Sequence, residues 1–152
     1  MIISAIKKRE YGVTLEMVRE SFWEYDASYY PRNGQDSFLA YASFPNFAYR
    51  QWHSHSTFVA KDQTRILGMI EIRGDCHISM LFVAPNYIKQ GIGRALITTA
   101  VERCVSRKMN LRYITVNSSL FAEEFYKKMG FTATESPTTN DGLTCIPMAL
   151  AV

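Results

Sequence analysis

Residues 81 to 96, Leu-Phe-Val-Ala-Pro-Asn-Tyr-Ile-Lys-Gln-Gly-Ile-Gly-Arg-Ala-Leu, run from a β-rich stretch through a turn-forming proline and two close glycines into a helical pattern. That order suits the capture of an anion. Gly91 and Gly93 let the main chain approach a ligand without a Cβ in the way. The first amides of the following helix have no partner inside it, and together with the helix dipole they favour negative charge. Lys89 and Arg94 place two full positive charges beside them. Two better-known phosphate loops do not fit. A dinucleotide fingerprint needs a third glycine where Leu96 stands, with the glycines directly after the strand, yet seven residues intervene between Val83 and Gly91. A nucleoside triphosphate loop needs Gly-Lys-Ser/Thr, which does not follow.

The elements that must position this loop are readable from period and punctuation. Ile2 to Ile6 reads as a short strand. Thr14 is an expected N-cap for a helix to about Glu24, with Leu15, Val18 and Phe22 at helical spacing. A second short helix starts near Asp36, and Ser43 to Pro45 breaks the pattern. Thr57 to Ala60, Ile66 to Ile72 and His77 to Val83 read as three strands of an antiparallel meander with turns at Lys61 to Thr64 and at Gly74-Asp75. A long helix from Gly91 to about Ser106 carries one apolar row, Ile92, Leu96, Ala100 and Cys104, and one polar row, Arg94, Thr98, Glu102 and Ser106. A strand at Arg112 to Val116, a helix from about Ser119 to Met129, and strands at Phe131 to Thr134 and Leu143 to Leu150 complete a mixed α/β order.

Bulk properties narrow the class. The 152 residues are 47% hydrophobic, enough for one domain over 1–152 without covalent staples. No run approaches the roughly 18 apolar residues of a spanning helix, and the opening MIISAIKKRE reverses the order of a secretory signal. A cytoplasmic protein with no membrane partner is expected. Cys76, Cys104 and Cys145 are odd in number, widely spaced and in no CxxC pairing, which predicts reduced thiols. The charge of +3 is mild and scattered, so nucleic acid is not an expected partner. His53-x-His55 has no Cys or third His nearby and reads as a loop into a strand, not as a metal site.

The pattern Val83-x-Pro85-x-Tyr87 followed by Gln90-Gly91-Ile92-Gly93-Arg94-Ala95-Leu96 resembles the coenzyme A signature of the GNAT acetyltransferase superfamily. Val116-Asn117-Ser118-Ser119, Phe125-Tyr126 and Gly130-Phe131 are similar to that family's second region, so the likeness runs from about Ile66 to Phe131 in the right order. One position departs: Ile88 stands where the family usually has Gln or Arg. Backbone amides, helped by Lys89 or Gln90, are expected to cover for it.

The resemblance implies a mixed, mostly antiparallel central sheet of about six to seven strands, splayed between the fourth and fifth and flanked by about four helices. It implies an N-acetyltransferase that moves the acetyl group of acetyl-coenzyme A directly to a primary amine of a small molecule or peptide, with no metal. A non-catalytic acyl-coenzyme A binding or sensing domain of the same fold is the alternative. Leu81, Phe82 and Val83 would hold the pantetheine arm through main-chain groups, one amide polarising the thioester carbonyl. Lys89, Gln90, Gly91, Ile92, Gly93 and Arg94 would hold the pyrophosphate. Asn117 would contact the arm, while Ser118 or Ser119 could equally cap the next helix.

Tyr126 falls where the family often places the acid that protonates the departing thiolate. Ala122, Phe125, Tyr126 and Met129 also form a helical stripe, so a core aromatic is the competing assignment. An amine acceptor must shed a proton before it attacks. Glu71, in the strand row Leu67, Met69, Glu71, is the first candidate base and His77 the second; a partly exposed carboxylate near an arginine is the plain alternative for Glu71. Eleven of the twenty aromatics lie between Phe22 and Trp52. They suit an aromatic acceptor pocket with Glu24, Asp26 or Asp36 steering a cation, or core packing, or a homodimer face.

Overall fold

A computed structural model describes residues 1–152. Strands β1 (Ile2–Ala5), β2 (His55–Asp62), β3 (Arg65–Arg73), β4 (His77–Val83), β5 (Tyr113–Ser118), β6 (Thr132–Ala133), β7 (Thr138–Asn140) and β8 (Leu143–Ala151) form one sheet in the order β1-β2-β3-β4-β5-β8-β6, with β7 on β8. All pairings are antiparallel except β4 with β5. The helices are α1 (Tyr11–Ser21), α2 (Arg32–Tyr41), α3 (Phe44–His53), α4 (Ile92–Arg107) and α5 (Glu123–Lys128). The sheet thus has eight strands and the helices number five, one more of each than the sequence suggested. None of these helices is long and apolar enough to cross a membrane.

The extra helix is α3. Ser43 to Pro45 reads as a break in sequence, but Ser43 is extended and Pro45 lies in the helix's first turn, where its missing N–H has no intrahelical partner to lose. Helix α1 starts ahead of Thr14, running on from a 3-10 turn at Lys8–Glu10 whose start is closed by the Glu10 carboxylate accepting the Lys7 N–H at 2.8 Å. Thr14 is instead buried within the helix, its hydroxyl without a partner.

Each face of the sheet carries its own core. One, under α4 and α5, includes Ile78, Leu96, Ile97, Ala100, Ile114 and Phe131; the other, under α1 and α3, includes Leu15, Val18, Phe47, Met69 and Met80. The apolar row of α4 is buried and its polar row exposed, as a helix laid on a sheet requires. The sulfurs of Cys76, just before β4, and Cys104, near the end of α4, are paired as a disulfide, with Cα atoms 6.0 Å apart. This corrects the expectation of three reduced thiols; only Cys145 is free. Spacing gave no hint of it, because folding α4 back along the sheet is what brings the two residues together.

Helix α2 docks on the β7–β8 turn through backbone. A Cβ built on Gly34 would lie 2.8 Å from the Gly142 carbonyl carbon, and the Ser37 hydroxyl donates to the Asp141 carbonyl at 2.8 Å. Gly34→Ala should therefore cost about 1–3 kcal/mol through overpacking. Gly12→Ala, with nothing within 4 Å of its Cβ, should be neutral or slightly stabilising. Chemical denaturation of both variants checks this, and equal midpoints would disprove the tight dock.

Candidate active site

Strands β4 and β5 pair only at His77 with Thr115 and Ile78 with Val116. Beyond that the two strands part, which leaves a gap in the sheet bordered by Leu81, Phe82 and Val83. The parting begins at a bulge. Glu71 of β3 faces Met80 and Ile72 faces Ile78, so Ser79 has no opposite residue. The extra residue reverses the alternation: Ile78 and Met80 are two apart yet lie in the opposite cores. The strand is thereby re-aimed where the gap opens.

Below the gap, the chain turns through Pro85–Tyr87, Lys89 and Gly91 take positive φ values of 61° and 84°, and α4 starts at Ile92. The first amide to find an acceptor after Tyr87 is that of Ala95, which donates to the Gly91 carbonyl at 3.0 Å. The amides from Ile88 to Arg94 have no acceptor within the protein. A glycine with positive φ at 91 and no atom near its missing Cβ leaves this row of donors open. Diphosphate matches the chemistry of that donor set, with Lys89 and Arg94 adding charge.

The gap and the loop share a cavity of about 1080 Å³, at the upper end of ligand-site volumes of roughly 300–1,000 Å³. Lys89, Gly91, Ile92, Gly93, Arg94, Asn117 and Tyr126 all line it. Gln90 does not; its amide turns back toward the Asn86 carbonyl at 3.5 Å. Asn117 is exposed at the rim, and it is Ser119 that accepts the Ala122 N–H at 3.1 Å ahead of α5.

Tyr126, on α5, is 5% exposed, packed edge-on against Phe125 and Phe131 at centroid distances of 5.4 and 5.2 Å. Its hydroxyl takes part in none of the protein's side-chain hydrogen bonds, and the residue borders the cavity. Burial, and then the charge of Asp26, hold its pKa well above the usual phenol value. The group therefore stays protonated across the working pH range.

Glu71 lies elsewhere. It is fully buried, off the cavity wall, and gripped from two sides: Arg50 donates to both carboxylate oxygens, at 2.9 and 3.1 Å, and Gln51 donates at 2.8 Å. Burial pushes its carboxyl up, while Arg50 and Gln51 pull against that. With three donors on its two oxygens, no exposure and no place on the cavity wall, it is out of a substrate's reach. Sequence alone offered Glu71 as the first candidate base or as a partly exposed carboxylate near an arginine; helix α3 supplies both the arginine, Arg50, and the cover that buries the carboxylate. His77 does reach the cavity. Its Nδ1 lies 2.8 Å from the Thr115 hydroxyl, and burial, followed by the nearby Arg73, lowers its pKa so that it is neutral at pH 7. The His53 ring lies tilted against Tyr49, centroids 4.1 Å apart, and His55 contacts the Ser54 hydroxyl at 2.7 Å.

The acceptor side of the cavity is aromatic. Phe22 stacks on Phe38 at 4.2 Å and on Tyr30 at 6.2 Å, Tyr25 stacks on Phe121 at 5.2 Å, and all five border the space. Of the three candidate steering acids only Asp26 is on the wall, at the end of the π-helical turn Phe22–Asp26 that follows α1.

Comparison with known proteins gives the same outline. The chain is similar over 99% of its length, at 24% identity and a TM-score of 0.87, to a GCN5-related N-acetyltransferase from Rhodopseudomonas palustris, 95% of which it covers. It is similar to the PaiA N-acetyltransferase of Thermoplasma acidophilum in complex with coenzyme A, at 18% identity and a TM-score of 0.80 with both chains fully covered. It is also similar to the ribosomal-protein-S18-alanine N-acetyltransferase of Escherichia coli, at 19% identity and a TM-score of 0.72, covering 99% of this chain and 92% of that one. A family model described as an acetyltransferase (GNAT) domain matches residues 27–152. With most of its length inside that match, the chain belongs to the GNAT acetyltransferase family.

Proposed function

We propose that this protein is an acetyl-coenzyme A dependent N-acetyltransferase acting on a primary amine. The observation that carries the reading is the run of free amides from Ile88 to Arg94 at the foot of the opened β4–β5 gap. Those amides, with Lys89 and Arg94, hold the diphosphate. Main-chain groups of Leu81, Phe82 and Val83 hold the arm, and Asn117 meets it at the rim. The thioester supplies an activated carbonyl and a thiol leaving group. Past the bulge, an amide of β4 is placed to stabilise charge that develops only in the transition state. Tyr126, protonated and without a protein partner, donates to the departing sulfur. A protonated tyrosine bordering the cavity, with no hydrogen bond to the protein, favours transfer over a binding-only role for this fold. Glu71 is better supported as the anchor of Arg50 than as a base.

Titration calorimetry with coenzyme A is expected to give a micromolar dissociation constant. At one hundred times that concentration the fold should gain about 2.7 kcal/mol, seen as a raised melting temperature. Arg94→Ala together with Lys89→Ala should weaken binding about tenfold without abolishing it, because the amides remain. No heat and no thermal shift with the wild-type chain would dispose of the reading.

A further inference from the structure

We infer that Asp26 is the acceptor's ammonium receptor and proton acceptor, and that the acceptor is a small monoamine with a flat apolar body. The inference rests on the acetyl-transfer reading above. Asp26 is 8% exposed and borders the cavity, yet it takes part in none of the protein's ion pairs. A buried carboxylate without a cation is costly to the fold, and such groups in clefts cluster at functional sites. The groups facing it are neutral: Tyr30 on its own segment, Ser119 ahead of α5 and Tyr126 on α5, with Cys145 of β8 beyond Tyr30. Burial pushes its carboxyl from 3.8 up to about 6, with Ser119 pulling the other way, and burial, followed by the Asp26 charge, pushes Tyr30 up to about 12. The wide π-helical turn that carries it is an arrangement frequent at functional sites.

The rest of the wall sets the substrate class. Asp141 is the only other carboxylate there, and it is exposed, whereas Arg50, Arg73, Lys89, Arg94 and Lys128 are cationic. A polyamine or aminoglycoside would bring several positive charges to a wall with one buried acid. Tyr30 and Phe38, each stacked on the buried Phe22 and each half-buried at the cavity, offer instead a surface for a planar or apolar body and the π faces that attract an ammonium. The proton count closes. The ammonium gives one proton to the Asp26 carboxylate, which passes it to solvent. The nitrogen lone pair then forms the C–N bond. As the C–S bond breaks, Tyr126 gives its proton to sulfur and takes back the second proton from nitrogen.

The test compares wild type with Asp26→Asn and Asp26→Glu, using 2-phenylethylamine, spermidine and a tripeptide with a free N-terminus as probes. Wild type should acetylate 2-phenylethylamine at least tenfold more efficiently, by kcat/KM, than the other two. Asp26→Asn should lower that kcat/KM at least thirtyfold with the acetyl-coenzyme A affinity within twofold. It should also abolish the rise of kcat/KM with pH near 6, and Asp26→Glu should restore part of the rate. The raised carboxyl means the folded state binds its proton more tightly than the unfolded, so stability falls as pH rises from about 4 to 6. Asp26→Asn should accordingly melt higher than wild type at pH 8 and equally near pH 4, which a merely structural aspartate would not do. An unchanged kcat/KM, a lower melting point at pH 8, or a preference for spermidine or tripeptide would overturn the inference. Acetyl-coenzyme A binding without acetylation of any probe would overturn the substrate class while leaving the nucleotide site standing; absence of that binding would remove both.

Discussion

Tyr126→Phe is expected to lower kcat about a hundredfold while leaving the affinity for acetyl-coenzyme A within about twofold of wild type. The two effects separate because ring and hydroxyl do different things. The ring fills a slot between Phe125 and Phe131 in the core beneath α5, and phenylalanine keeps those edge contacts. The hydroxyl donates to no group of the protein, so its removal leaves no orphaned partner and should change stability by well under 1 kcal/mol. What the substitution removes is a donor to the sulfur as the C–S bond lengthens. Burial raises the phenol's pKa, so the donor is present at every working pH and Tyr126 should contribute no basic limb to the profile. Stopped-flow measurement of thiol release at saturating amine reads the effect directly. Wild-type turnover in the variant would return Tyr126 to the role of a core aromatic, and a matching loss of coenzyme A affinity would make it a binding residue instead.

The parts of this fold legible in sequence are those fixed by local chemistry. The glycines at 91 and 93 announce a loop where backbone meets ligand, and the i, i+4 rows of α4 announce which face is buried, because both signals are carried by residues adjacent along the chain. The β4–β5 gap followed from the family likeness. What sequence could not show are features created by distant elements meeting. Ser79 becomes a bulge only because β3 and β4 pair on either side of it with different registers. Cys76 and Cys104 are 28 positions apart and meet only after α4 has folded back. Glu71 carries the residue type of a base on the expected strand, but its environment is decided by α3, a helix hidden by a proline that belongs to its first turn. Asp26, by contrast, was one of three equivalent acids until the fold buried one and left Glu24 and Asp36 outside the cavity.

Arg50→Ala is the substitution expected to cost the fold most, about 3–5 kcal/mol. The guanidinium holds three acceptors: both oxygens of Glu71 and the Tyr41 carbonyl at 2.7 Å, with its Cζ 3.6 Å from the centroid of the Tyr41 ring. Its loss leaves a carboxylate with no exposure and a single side-chain donor, Gln51, itself held by the Thr57 hydroxyl at 2.8 Å. The carboxyl would answer by holding its proton, so its pKa in the folded variant rises further above the unfolded value. Stability then falls as pH rises through that interval, and the deficit of the variant should be smaller at pH 5 than at pH 8. Arg50→Met combined with Glu71→Met removes both charges and should recover most of the loss, since the cost lies in the unpaired ion and not in the missing pair. Denaturation midpoints across the four-member cycle measure this, and a single-variant loss below about 1 kcal/mol would mean that the pair is not dry. The cycle also separates stability from activity. Glu71 faces Met80, the residue next to the Ser79 bulge, so the ion pair clamps α3 to the strand register that opens the gap. A double variant that is stable yet slower, with coenzyme A affinity unchanged, is the outcome expected if that clamp positions the β4 amides for the transition state.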